Sequence, residues 1–220
     1  MKISFIGHSC FLVEEGSYSL LFDPFITGNP TATVKVEDLK PTHIFVTHNH
    51  GDHKGDALEI AKATGAKVFT TNEIGDEFKD NGIETIAGHI GGKAMTEFGS
   101  VKFFQAFHGS GIEGGHACGF IVDIGGKKIY HAGDTGLTKD MELLRREYIH
   151  VALLPIGDFY TMGPEDALEA VKMIKPKHVV PMHYSTFPAI SQDPEVFKKI
   201  VENSTETKVM VLKPGQSIEL

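Results

Sequence analysis

The chain has no tryptophan and only two cysteines, Cys10 and Cys118, in 220 residues. Two cysteines without a CxxC spacing give no disulfide framework, and they fit a reducing compartment. Long apolar runs are missing too. None approaches the ~18 residues a transmembrane helix needs, so no membrane partner is expected. The opening MKISFIGHSC lacks the apolar stretch of an export leader, because Gly7, His8 and Ser9 interrupt it and Glu14 and Glu15 follow. The expected location is the cytoplasm. Cationic residues are outnumbered, 21 Lys and Arg against 29 Asp and Glu, which leaves a formal net charge of −8 with no basic stripe. Broad electrostatic attraction to nucleic acid or to an anionic membrane surface is thereby disfavoured.

What remains is an ordinary globular composition with 41% hydrophobic residues, long enough to bury one sizeable core. A single domain over 1–220 is expected. Histidine stands out: 12 occur, and they are not spread at random.

Short β-branched and aromatic runs alternate with helical spacing. KISFI, SCFLVE and YSLLF read as strands, the last two joined as a hairpin through Glu15, Gly16 and Ser17. HIFVT, KVFTT, SVKFFQAF, CGFIVDI, KKIYHA, VALLPI, HVVPM and KVMVL continue the series. ALEIAKATG, EIGDEFKDNG, TKDMELLRREY, GPEDALEAVKMIKP and DPEVFKKIVEN read as helices, the last with Asp193 as N-cap and Pro194 in the first turn. VALLPI shows no polar alternation, so both its faces are covered. The pattern predicts an α/β sandwich with helices outside the sheets.

Six of these strands deliver a His or Asp at the same end: Asp23, His48, His108, Asp134, Asp158 and His183. In layered α/β folds, catalytic and ligand groups collect on loops at the carboxyl ends of strands. The densest of the six is VTHNHGDHKG, with His48, His50, Asp52 and His53 in six positions. H-x-H-x-D-H arises by chance on the order of once in 500 such sequences. Alternate residues of an extended segment point the same way, so His48 and His50 can address one point. A turn at Gly51 then redirects Asp52 and His53 to a second. Imidazole and carboxylate suit Zn²⁺, and also Fe or Mn. Four ligands on six residues cannot enclose one ion, so His108, Asp134 and His183 are expected to complete the set.

THNHGDH, FHG, HAGDTG and PMHY, in that order, resemble the signature of the metallo-β-lactamase-fold hydrolases, and the resemblance runs from residue 3 to about 213. GHSCF, AGDTGL and TMGPEDALEA are similar to a branch of small cytoplasmic metal-dependent hydrolases that resemble L-ascorbate-6-phosphate lactonase. The resemblance implies a four-layer αββα sandwich of two mixed sheets with two divalent ions at its edge. These would be zinc, with manganese, iron or nickel as alternatives. It further implies that His48, His50 and His108 hold one ion and that Asp52, His53 and His183 hold the other. Asp134 would bridge them together with a hydroxide, and Asp23 would orient a ligand histidine. A homo-oligomer is expected from resemblance alone.

Metal-bound water loses a proton near pH 7, so a nucleophile would be available at neutral pH. Two such ions with two aspartates and one hydroxide carry a net charge of about +1, a cationic pit in an acidic protein. That suits a small anionic substrate, a lactone or a phosphoester. The competing classes are an iron-dependent oxidoreductase on the same scaffold and a non-catalytic metal-binding protein. His8, which also ends a strand, is a candidate acid/base or substrate-binding group. Tyr184, Asp158 and His116 adjoin the expected site without an assigned role. His43, His150 and His178 are expected at the surface, and His131 in the core.

Overall fold

The computed structural model covers residues 1–220. One sheet is built from β1 (Lys2–Gly7), β2 (Cys10–Glu15), β3 (Tyr18–Phe22), β4 (His43–Phe45), β5 (Lys67–Thr71), β6 (Thr85–Gly88) and β14 (Ser217–Glu219). The other contains β7 (Lys93–Thr96), β8 (Gly99–Gln105), β9 (Cys118–Ile124), β10 (Lys127–His131), β11 (Val151–Pro155), β12 (His178–Met182) and β13 (Lys208–Val209). Strand order is β14-β1-β2-β3-β4-β5-β6 in the first and β13-β12-β11-β10-β9-β8-β7 in the second. Each sheet is half antiparallel and half parallel: β3 to β6 run parallel, as do β10 to β13. Helices α1 (Gly51–Lys54), α2 (Ala57–Thr64), α3 (Asn72–Asp80), α4 (Pro164–Ile174) and α5 (Pro194–Ser204) fill the connections.

Side-chain alternation along the strands sorts residues between two apolar layers. In β3, Leu20 and Phe22 face the larger core, while Leu21 joins a smaller cluster. In β4 and β5, Phe45 and Phe69 face the larger core, whereas Ile44 and Val68 meet Ala57, Ile60 and Ala61 of α2 and Phe78 of α3. The larger core lies between the sheets. There Phe45 stacks on Phe22 and Phe69 and meets Phe120 of the opposite sheet edge-on, with ring centroids 5.2 Å apart. Helices α4 and α5 cover the outer face of the second sheet through Ala167, Ala170, Val171, Phe197 and Val201. β11 is buried at all five positions, as its unbroken apolar run requires. The result is an αββα sandwich, as expected from the sequence.

Several local expectations are corrected. Residues 139–147 form a 3-10 helix, not an α-helix, and bury only Met141 and Leu144. β4 stops at Phe45, two residues before the predicted end. Gly51 does not make a simple turn but opens α1. β6, β7 and β14 were not legible, being three or four residues long with mixed exposure.

Candidate metal centre

β1, β3, β4, β8, β10 and β12 end at one edge of the sandwich, and each hands the chain to a His or Asp within three residues. Backbone hydrogen bonds join the two sheets there. The Cys118 amide donates to the Thr47 carbonyl at 3.0 Å, and the His183 amide to the His8 carbonyl at 2.8 Å. The sharp departures are left-handed at His8 (φ 56°), Asp23 (φ 41°) and His183 (φ 52°). A non-glycine residue in that region costs on the order of 1 kcal/mol, a strain that functional sites commonly hold. Gly133, at φ +60°, lets Asp134 approach: an added Cβ would sit 2.8 Å from Thr47 Cβ.

His48, His50 and His108 form one group. His48 Nε2 lies 2.9 Å from His50 Nδ1, and His108 Nε2 lies 3.4 Å from the same atom. The Thr47 hydroxyl donates to Asp23 Oδ2 at 2.8 Å, and its oxygen lies 3.0 Å from His48 Nδ1. With its hydrogen committed to Asp23, Thr47 can only accept from His48. The His48 proton therefore sits on Nδ1, and Nε2 presents a lone pair to the group.

His8, Asp52, His53 and His183 form a second group, and His48, His53 and Asp134 a third that overlaps both. His53 Nδ1 donates to Asp23 Oδ2 at 2.8 Å. Its Nε2 therefore faces Asp134 Oδ1, 3.1 Å away but misaligned for a hydrogen bond, and both atoms are buried without a hydrogen-bond partner. The other Asp134 oxygen lies 3.1 Å from His183 Nε2 and 3.6 Å from His108 Nε2. Asp134 thus stands between the two sets, and a single carboxylate, Asp23, orients a histidine in each.

These donors fit divalent ions. Three imidazole nitrogens at about 2.05 Å around a tetrahedral ion would lie about 3.3 Å apart. The 3.4 Å between His50 and His108 is that spacing, and 2.9 Å between His48 and His50 is slightly tighter. A proton can satisfy one pair of such lone pairs, whereas a cation satisfies all of them. The orphaned His53 Nε2 and Asp134 Oδ1 point the same way.

Charge states follow from burial and neighbours. Burial pushes His48 down to about 2, so it is neutral at physiological pH. Burial also lowers His8, to about 4, despite its hydrogen bond to Asp52. Asp134 is disfavoured as an anion by burial, yet His53 and His183 outweigh that and hold it well below the usual carboxylate range. Burial opposes protonation of His53, but Asp134 and Asp23 outweigh it and raise His53 well above 6.5. Its folded-state value exceeds its unfolded value, so the stability it adds is fully present below about pH 6.5 and is lost as pH rises through the folded value. In metal-free protein at pH 7 a proton therefore occupies His53 Nε2, where a cation must displace it. Metal affinity is expected to rise with pH up to the raised folded value of His53, with close to one proton released per ion at this position at pH 7. Calorimetric titration in two buffers of unlike ionisation enthalpy checks this, and pH-independent affinity would refute it.

All nine sequence-nominated residues meet at this edge: His8, Asp23, His48, His50, Asp52, His53, His108, Asp134 and His183. Asp158 does not join them. It is exposed, with φ 69°. His116 is exposed in the 109–117 loop, and Tyr184 packs against the core. His131 is a core residue, stacked on Phe22 and bonded from Nε2 to the Ser9 carbonyl at 2.9 Å. The surface expectation for His43 is overturned. It is 2% exposed, packed edge-on against Phe98, with Nε2 3.3 Å from Glu97. His150 and His178 are half-buried. Thr47 and Thr186 were missed. Thr186 Oγ1 lies 2.9 Å from His8 Nδ1, and nothing in sequence distinguishes either hydroxyl from a turn residue.

Two sheets whose strand ends gather histidines and aspartates into clusters that could hold metal define a metal-dependent hydrolase fold of the metallo-β-lactamase type. The chain belongs to the β-lactamase superfamily, whose domain profile matches residues 18–184, and within it to the UPF0173 metal-dependent hydrolases. It is 49% identical over 221 residues to a UPF0173 metal-dependent hydrolase of Natranaerobius thermophilus, covering 100% of both chains. It is 50% identical over 224 residues to one of Symbiobacterium thermophilum, again over 100% of both. Among solved structures it resembles Igni18, a metallo hydrolase from Ignicoccus hospitalis, with TM-score 0.93 and 42% identity, over 99% of this chain and 97% of that one. No helix is long and apolar enough to cross a membrane.

Proposed function

We propose that the protein hydrolyses a small anionic ester, a lactone or a phosphoester, in the cytoplasm, using two divalent ions. His48, His50 and His108 would hold one ion, Asp52, His53 and His183 the other, and Asp134 would stand between them. When bound, such ions supply Lewis acidity and lower the pKa of water towards 7. The protein's own residues do the rest. Asp23 fixes the tautomers of His53 and, through Thr47, of His48, so each ring presents Nε2 inward. Asp134 brings a fixed negative charge against the imidazoles of His53 and His183. His8 is neutral, 1% exposed and held from Nδ1 by Thr186, with Nε2 3.3 Å from Asp52 Oδ2. It orients that carboxylate and can hold or pass a proton at Nε2.

The observation that supports this reading most directly is the position of Asp134, whose two oxygens face His53 on one side and His183 and His108 on the other. Elemental analysis of purified protein should give two ions per chain. Chelation should abolish hydrolysis of a phosphodiester chromogen or a lactone, and Zn²⁺ or Mn²⁺ should restore it. Full activity in chelated, metal-free protein would overturn the proposal. His8→Ala is expected to lower kcat about 10- to 100-fold while two ions remain bound. Unchanged kinetics would remove His8 from the site.

A further inference from the structure

Nine large hydrophobic side chains are exposed; Phe107, Ile112 and Phe187 lie on loops that leave metal-site strands, and Phe159 and Tyr160 on the loop after β11. Phe107 precedes His108 and is 72% exposed. Its amide donates to Thr135 Oγ1 at 2.9 Å and its carbonyl accepts from Gly136, so it is tied beside Asp134. The 158–162 loop is tied to the same place, since the Met162 amide donates to the Thr135 carbonyl at 2.9 Å. That loop is closed on itself by the Asp158 amide to the Met162 carbonyl at 3.0 Å. It holds Phe159, 74% exposed, edge-on to Tyr160 at 4.7 Å. On the opposite flank Phe187 and Phe25 stand 5.6 and 5.8 Å from the His8 ring. Each such ring left in water forgoes on the order of 1.5–3 kcal/mol of burial, so their gathering at one edge calls for an occupant.

Charge narrows the occupant. Segments 23–34, 105–117, 132–138, 156–163 and 183–193 contain no Lys or Arg. Lys54, in the histidine-rich segment, is engaged by Glu77 at 2.8 Å. Outside the two cation sites, the edge offers no positive side chain to a phosphate or carboxylate remote from the reacting bond. We infer that the substrate carries its anionic or electrophilic centre next to an aryl or alkyl group, which lodges between Phe107 and Phe159 on one flank and Phe25 and Phe187 on the other. This rests on the hydrolase reading and specifies its substrate class: a compact ester with an apolar substituent, not a polyanion or a bare sugar phosphate.

The test uses zinc-loaded full-length protein and two p-nitrophenyl phosphodiesters that share a leaving group, one phenyl and one methyl. In parallel, phenylphosphonate and methylphosphonate are titrated calorimetrically, which reads binding without turnover. The phenyl compound is expected to be favoured about tenfold or more in both measurements, and Phe107→Ala combined with Phe159→Ala should collapse that ratio towards one. If neither ester turns over but phenylphosphonate keeps its advantage and loses it in the variant, the hydrolase reading falls and the apolar pocket stands. Equal handling of phenyl and methyl probes by the unaltered protein overturns the inference. It is likewise overturned if the variant keeps the ratio and instead dissociates an oligomer in sedimentation, because a second copy is then the occupant.

Discussion

Asp134→Asn is expected to lower kcat/KM by about a thousandfold or more, on the order of 4 kcal/mol of transition-state stabilisation, and to leave one ion or none bound per chain. The substitution is nearly isosteric at a position 3% exposed, so packing is preserved. What changes is chemistry. The carboxylate offers lone pairs to both sides, to His53 Nε2 at 3.1 Å and to His183 Nε2 at 3.1 Å. A carboxamide keeps one acceptor and turns two N–H donors towards an imidazole lone pair. That contact is favourable in metal-free protein and blocks a cation. It also removes the charge that, with Asp23, raises His53. The variant should therefore fold, with an unaltered circular dichroism spectrum, yet fail elemental analysis for two ions. Full turnover with two ions bound would remove Asp134 from the centre.

The sandwich makes this placement possible at low cost in sequence. Parallel pairing of β3 to β6 and of β10 to β13 points many strand ends the same way, and a ligand needs only to follow its strand. The inter-sheet bonds from Cys118 to Thr47 and from His183 to His8 then hold the two halves of the set at a fixed separation. Left-handed backbone at His8, Asp23 and His183 turns each side chain out of its strand direction into the cleft. The His183 amide to His8 carbonyl bond and the Asp23 amide to Phe45 carbonyl bond, both at 2.8 Å, help maintain this strain.

Much of this was legible in the residues. Long β-branched runs ending in His or Asp gave both the strands and the edge where the histidines and aspartates collect, and the H-x-H-x-D-H segment supplies members of all three candidate ligand groups there. Asp52 and His53 were expected to diverge from His48 and His50; a helical turn rather than a bend at Gly51 separates the pairs, and the His53 ring stays 4.2 Å from His48. β6, β7 and β14 were not legible, because these short strands lack the buried β-branched and aromatic run that marked β4. His43 was misread because polarity alone suggested the surface, while Glu97 and Phe98, far along the chain, complete its burial. Thr47 and Thr186 escaped notice for a similar reason. A hydroxyl becomes an orienting group only through what folding brings opposite it. The aromatic flanks were invisible because a phenylalanine in a loop announces neither its exposure nor its neighbours.

Asp23 offers the sharpest dissection of the centre, because one buried carboxylate orients His53 directly and His48 through Thr47. Oδ1 accepts the Thr47 amide at 2.8 Å, and Oδ2 accepts both the Thr47 hydroxyl and His53 Nδ1 at 2.8 Å. Asp23→Asn is expected to weaken both ions, each by about 10- to 100-fold, because its N–H donors cannot receive what the carboxylate received. With one of its two raising charges gone, His53 should lose its proton more readily, so fewer protons should be released per ion bound at pH 7. Thr47→Val separates the two branches. It breaks only the path to His48, so it should weaken the ion at His48, His50 and His108 and spare the other. Competition titrations that resolve two dissociation constants would read both results. If Asp23→Asn disturbed a single ion, or if Thr47→Val disturbed both equally, the shared-carboxylate arrangement would not be what sets these imidazoles.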